Sequence, residues 1–293
     1  MGVHVSIAGG VEKAVLRARE LSIRTMQIFS RSPRGWKVAP LMPSSVSAFR
    51  EGVRKEGIEP VFIHTPYLLN LATAEVPLSR QSSAALALDM GRAEELGAQY
   101  VVTHLGSGRP EGPASAIDCA VEALKRGLEE GSEVFVLLEN SAGARGAVGA
   151  RFEELQEIIE RVGGDRLGVC FDSCHGFAAG YDFRTPETAR ELVRQMEVTF
   201  GLKRLALLHV NDSVAGLGGH LDRHAHIGQG QIGRTGFRSL LSEPRLRKLP
   251  LILETPKKLP GDDRRNLARI HRLLREADKG GIEIRLADPP LRG

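Results

Sequence analysis

Eight short, almost unbroken apolar runs recur along the chain, each followed by a polar loop and then by a stretch with helical spacing of its apolar positions. The runs are VHVSIAG (3–9), TMQIFS (25–30), PVFIHT (60–65), YVVTHLG (100–106), VFVLLENS (134–141), LGVCFDS (167–173), LALLHVND (205–212) and LPLILET (249–255). Segments this short and this rich in Val, Ile and Leu read as strands covered on both faces. Between them, Phe152, Leu155, Ile158, Ile159 and Val162 fall on one helical stripe, as do Leu86, Met90, Ala93 and Leu96. Gly57, Gly97, Gly131 and Gly163 stand where helices end. The last helix is RRNLARIHRLLREAD. Eight strand–helix units in 293 residues predict a single α/β domain, a (β/α)8 TIM barrel over 1–280, with 281–293 as a C-terminal tail. An open, doubly wound sheet is the alternative arrangement of the same units.

Composition narrows the picture only slightly. The net charge of +4 tolerates a polyanionic partner without demanding one. Cys119, Cys170 and Cys174 lack CxxC spacing and read as free thiols of a reducing compartment. No apolar run approaches the roughly 18 residues of a membrane span, and the start lacks a charged region followed by an apolar one. A cytoplasmic monomer is the expectation.

The chemistry stands at the ends of the runs. His64 closes the third, His104 the fourth, Glu139 the fifth, Asp172 the sixth, His209 the seventh and Glu254 the eighth. In a closed barrel these positions converge on the C-terminal mouth, where barrel active sites lie. One histidine at a strand end is ordinarily a hydrogen-bonded structural residue, but six consecutive runs ending this way are a different matter. Burying so many acids and imidazoles together is prohibitive without cations, so the pattern predicts a multinuclear metal site. His175, three residues past Asp172, and the pair Asp222 and His224 are further ligand candidates in loops at the same mouth. Imidazoles and carboxylates without thiolates suit Zn2+ ahead of Mn2+ or Fe2+. Three divalent ions would outweigh the four carboxylates of Glu139, Asp172, Asp222 and Glu254, leaving positive charge for a hydroxide and a phosphodiester.

One motif competes for the same loop. GQGQIG (228–233) fits the dinucleotide fingerprint G-x-G-x-x-G. It follows a metal-type loop rather than a strand, however, and the next acids, Glu243 and Glu254, are poorly placed for a ribose. Gly228, Gly230 and Gly233 are better explained as a sharp turn beneath the metal loop.

Taken in order, HVSIAGG, QIFSRSPRGWK, HTPYLLNLA, VTHLGSG, LLENSAG, FDSCHGFAAGYD, HVNDS, DRHAHIG and LILETP resemble the endonuclease IV family, zinc-dependent abasic-site endonucleases of DNA repair. The resemblance runs from the first strand to the eighth. It implies a (β/α)8 barrel with three zinc ions per chain. His64 and His104 would hold the first ion and share Glu139 as a bridge to the second. Asp172, His209 and Glu254 would complete the second, and His175, Asp222 and His224 the third. The implied reaction is hydrolysis of the phosphodiester 5′ to an abasic site in duplex DNA by a metal-bridging hydroxide, with Glu139 as its partner. It leaves 3′-hydroxyl and 5′-deoxyribose phosphate ends, and removal of 3′-blocking groups is expected as well. A hydroxide is available at neutral pH because such metals lower the pKa of bound water to about 7. Cys174, beside the site, is then a bystander.

By motif match, Arg34, Tyr67 and Leu68 correspond to side chains that the family inserts into DNA, and wedges of this kind kink duplexes. Arg31, Trp36 and Lys37 share the loop of Arg34 and are expected to be exposed with it. Two departures from the family pattern stand out: Gln229 replaces the acid of a G-E-G turn, and His226 occupies a position where a small polar residue is usual. His226 reads as a residue outside the ligand set; His4 reads either as a lining residue or as core. Barrel sugar isomerases and epimerases are the alternative, since Glu139, Asp172, His209 and Glu254 would satisfy their single-metal pattern. They leave His64, His104, His175, Asp222 and His224 without work. A non-catalytic DNA-binding barrel explains none of the nine.

Overall fold

A computed structural model describes residues 1–108 and 113–286. Its strands and helices alternate as the apolar runs predict. In chain order they are β1 (Gly2–Val3), α1 (Glu12–Glu20), β2 (Met26–Phe29), α2 (Pro43–Glu56), β3 (Val61–His64), α3 (Val76–Leu96), β4 (Tyr100–Thr103) and α4 (Pro113–Glu130). They continue with β5 (Phe135–Glu139), α5 (Phe152–Val162), β6 (Leu167–Asp172), α6 (Ser173–Ala179), α7 (Pro186–Thr199) and β7 (Leu205–His209). Last come β8 (Asp212–Ser213), β9 (His224–Ala225), α8 (Gly233–Ser242), β10 (Leu251–Leu253) and α9 (Asp262–Leu286).

Eight of the strands form one parallel sheet in the order β1-β10-β7-β6-β5-β4-β3-β2. A parallel bridge between His4 and Gln27 joins β1 to β2, and the Val5 amide donates to the Gln27 carbonyl at 2.7 Å, so the sheet closes on itself. The result is a single-domain TIM barrel rather than an open sheet. Helix stops follow the glycines at Gly57 and Gly97, both in the left-handed region at φ of 61° and 73°. Gly163 also has positive φ, whereas Gly131 ends α4 without it.

Two apolar layers hold the barrel. The larger lies between the strands and the helices. The smaller fills the interior: Phe62, Val102, Leu137, Cys170, Leu207 and Ile252, one from each of six strands. Side chains alternate across a strand, so the residue two positions on points the same way. Those residues are His64, His104, Glu139, Asp172, His209 and Glu254. The ligand candidates are therefore the next storey of the interior, resting on a packed apolar floor at the C-terminal mouth. The remaining strands follow the same rule, β1 contributing His4 and β2 contributing Gln27.

Three features differ from the expected layout. The strands are shorter than the apolar runs, because the last residues of each run leave the ladder for the rim. A two-stranded antiparallel ribbon, β8 with β9, rises from the loop after β7. Finally, α9 continues through Leu286 and so takes in the beginning of the expected 281–293 tail; the rest of that tail, 287–293, lies outside the described residues.

Candidate metal centre

Glu139 is the hub of the mouth. It is fully buried at the end of β5 and divides its two oxygens between neighbours. Oε2 lies 3.0 Å from His64 Nε2 and 3.3 Å from His104 Nε2, while Oε1 lies 2.9 Å from His209 Nδ1. Around it the ligand atoms fall into overlapping groups with members within 4.8 Å of one another, three of them without cysteine: His64, His104 and Glu139; Glu139, Asp172, His209 and Glu254; and His175, Asp222 and His224. All nine candidates from the sequence are thus brought together: His64, His104, His175, Asp222, His224 and Glu254 line a cleft of about 1130 Å³, and Glu139, Asp172 and His209 are buried beneath it.

The third group depends on two local devices. Asp172 caps α6, its Oδ1 accepting from the His175 amide at 2.9 Å, which orients that short helix with its histidine toward the mouth. Opposite, β9 carries His224, and its pairing with β8 sets His224 Nε2 3.4 Å from His175 Nε2. Asp222 Oδ1 lies 3.0 Å from His175 Nε2.

The glycine turn serves this ribbon. The amides of Ser213, Gly230 and Ile232 donate to the buried carboxylate of Asp212 at 2.8, 2.9 and 3.0 Å. Gly228 and Gly233 take positive φ, and a Cβ on Gly230 would overlap Ser213 O and the Asp212 carboxylate. Amides already committed to an internal carboxylate are not free for a pyrophosphate, so the dinucleotide reading of GQGQIG fails. His226 is held apart from the cluster: its Nδ1 accepts from Asn266 Nδ2 at 3.0 Å.

Second partners settle which nitrogen three of the imidazoles offer. His64, His175 and His224 donate Nδ1–H to the carbonyls of Thr65, Asn140 and Glu254 at 2.7, 3.0 and 3.0 Å. A carbonyl only accepts, so Nδ1 bears the proton and Nε2 faces the cluster. Four residues of this outer ring escaped sequence reasoning. Asn140 Oδ1 accepts from the Asp172 amide at 2.6 Å, and Asn211 Nδ2 donates to Asp172 Oδ2 at 2.6 Å. Asp212 and Gln27 are the others. Asn140 sits directly beside Glu139, and Asn211 and Gln27 continue the interior alternation, signals that could have found them; Asp212, three residues past His209, carries neither.

The charge balance of the centre calls for cations. Burial alone would raise the Glu139 carboxyl; His104, His209 and His64 hold it well below its ordinary value. Burial alone would lower His175; Asp172, Asp222 and Glu139 instead push it up to about 10. Buried carboxylates are here neutralised by whatever positive charge lies near, and without metal that is protons on imidazoles. The donor set, its burial and its preset tautomers fit divalent metal ions of the zinc type. Cys170 and Cys174 are buried, with burial pushing both thiols up, Cys170 to about 12, so neither is poised as a thiolate.

The rim only partly matches the expected DNA-contacting set. Tyr67 is 73% exposed and stands edge-on to Phe29, with ring centroids 5.4 Å apart. Arg34 is exposed and lines the cleft, and Leu68 is half-buried. Arg31 and Trp36 depart from expectation. Arg31 is buried, its guanidinium 3.1 Å from Asp89 on α3, and Trp36 packs half-buried against the outer core.

The family described as xylose isomerase-like TIM barrel matches residues 15–277. A probable endonuclease 4 from Methanoculleus marisnigri is 44% identical over 276 residues, spanning 93% of this chain and 98% of that protein. The crystal structure of endonuclease IV from Thermus thermophilus superposes with a TM-score of 0.82 at 41% identity, covering 94% of this chain and 98% of the other. A D-tagatose 3-epimerase-like protein shares the fold with a TM-score of 0.73 at 21% identity, over 96% and 99% of the two chains. The chain belongs to the endonuclease IV family.

Proposed function

We propose that this chain is a DNA-repair endonuclease that hydrolyses the phosphodiester 5′ to abasic sites in duplex DNA. It would leave 3′-hydroxyl and 5′-deoxyribose phosphate ends and also clear 3′-blocking groups. Three zinc ions would be held by His64, His104 and Glu139; by Glu139, Asp172, His209 and Glu254; and by His175, Asp222 and His224. The observation that carries this reading is the clustering of those nine side chains in three groups, two of which share Glu139.

Bound zinc would supply Lewis-acid activation of water and neutralise charge on the phosphate oxygens. The chain's own residues do the rest. Glu139 presents one oxygen to each of two groups and so fixes their separation. Asn140 and Asn211 clamp Asp172, and the ribbon β8–β9 brings His224 up to His175. At the rim, Tyr67 and Leu68 would fill the gap in the base stack while Arg34 neutralises backbone charge, holding the damaged strand bent over the cleft.

The epimerase reading is weaker, because His64, His104, His175, Asp222 and His224 have no part in a one-metal isomerisation. The deciding experiment is incubation of zinc-loaded protein with duplex DNA bearing one tetrahydrofuran abasic analogue. That analogue cannot undergo β-elimination, so a cut on its 5′ side requires hydrolysis. Intact DNA after incubation with fully loaded protein would refute the proposal.

A further inference from the structure

His209 is turned the other way round from the ligand candidates His64, His175 and His224. Those three offer Nε2 and donate Nδ1–H to backbone carbonyls. His209 points Nδ1 at the carboxylates, 2.9 Å from Glu139 Oε1 and 3.3 Å from Glu254 Oε2, and its Nε2 meets Gln27 Oε1 at 2.8 Å. We propose that Gln27, on β2, is a positioning residue that fixes the tautomer of His209 and the pose of Glu254 for the second ion. This inference rests on the metal reading above.

The amide's orientation follows from its surroundings. Glu254 Oε1 lies 2.6 Å from the Gln27 amide nitrogen, and an ionised carboxylate only accepts. Nε2 must therefore face Glu254, and it also lies 2.9 Å from His4 Nδ1. Oε1 is left to accept from His209 Nε2, which must then bear a proton. With a metal ion bound, the remaining nitrogen, Nδ1, would offer its lone pair to that ion, beside Glu139 and Glu254. One side chain thus sets two members of the second group, Glu139, Asp172, His209 and Glu254. Gln27 is itself fully buried, and its backbone is anchored by the bridge to His4 and by the Val5 amide. Unlike the carbonyls behind His64, His175 and His224, this partner is a side chain and can be removed by substitution.

The test uses Gln27→Leu, which keeps the volume and removes both hydrogen-bonding functions. A partner behind a ligating histidine is worth about 10- to 100-fold in metal affinity. In chelator competition, the variant should release one of its zinc ions about 10- to 100-fold more readily than the parent. The other two ions should be unaffected. A purely structural amide would instead lower the melting temperature and leave all three affinities equal, and that result overturns the proposal. Should the variant not fold, histidine nitrogen–proton correlation spectra of the zinc-loaded parent decide the matter. The expected spectrum has His209 protonated on Nε2 and His64, His175 and His224 protonated on Nδ1. A proton on His209 Nδ1 overturns the assignment. A parent protein that takes up no zinc sinks the metal reading itself, whereas equal zinc retention by parent and variant sinks only the role of Gln27.

Discussion

Individual residues at the mouth are unequal, because some serve one ligand group and some serve two. His175 belongs to the third group alone, whereas Glu139 belongs to two. His175→Ala should cost one zinc ion and lower kcat on abasic DNA on the order of 100-fold, leaving the fold and DNA binding in place. Glu139→Gln should lose more metal and more activity; equal and mild effects would contradict the shared carboxylate. The same residues give a pH signature in metal-free protein. His175 has its folded-state pKa raised from an ordinary 6.5 to about 10. A raised value stabilises the fold fully below about 6.5, and the gain is lost as pH climbs through about 10. Thermal melts of metal-free protein should therefore fall across that window. Zinc-loaded protein, with its imidazoles already deprotonated by the metal, should not show the same fall. A metal-free melting temperature that stays flat would be inconsistent with the pairing.

Elements explain both what was legible in the sequence and what was not. The strand ends were legible because one physical rule, alternation across a strand, places Phe62, Val102 and Leu137 beneath His64, His104 and Glu139. Gln27 obeys the same rule, but a single amide in TMQIFS carries no mark of metal chemistry. The ribbon β8–β9 was invisible because strands of two residues have no period to read. Arg31 was misplaced because its partner, Asp89, lies 58 positions away on α3. Trp36 was misplaced because a loop of Pro and Arg does not reveal that it folds back on the core. The ribbon offers a test of its own. Asp212→Ala strips the acceptor from several buried amides, which should cost on the order of 3 kcal/mol and loosen the third ion. At the rim, joint replacement of Arg34, Tyr67 and Leu68 by Ala should leave zinc content unchanged. It should cut kcat/KM strongly on duplex abasic DNA and much less on a short single strand that needs no wedge. Parental rates on duplex would remove the wedge but not the metal centre.

For the molecule as a whole, the closed barrel turns eight strand ends into one concave, polar storey above an apolar floor; metal held there as proposed would offset the buried carboxylates of Glu139 and Asp172 and so couple folding to metal binding. Prolonged chelation should therefore lower thermal stability along with activity. The most direct measurement is a titration of metal-free protein with zinc, following cleavage of a duplex that bears one tetrahydrofuran abasic analogue. If three zinc-type ions on the nine clustered ligands run the hydrolysis, cutting on the 5′ side of the analogue rises to its plateau only as the third equivalent binds. Full activity at one equivalent, or no cutting at three, would contradict the account.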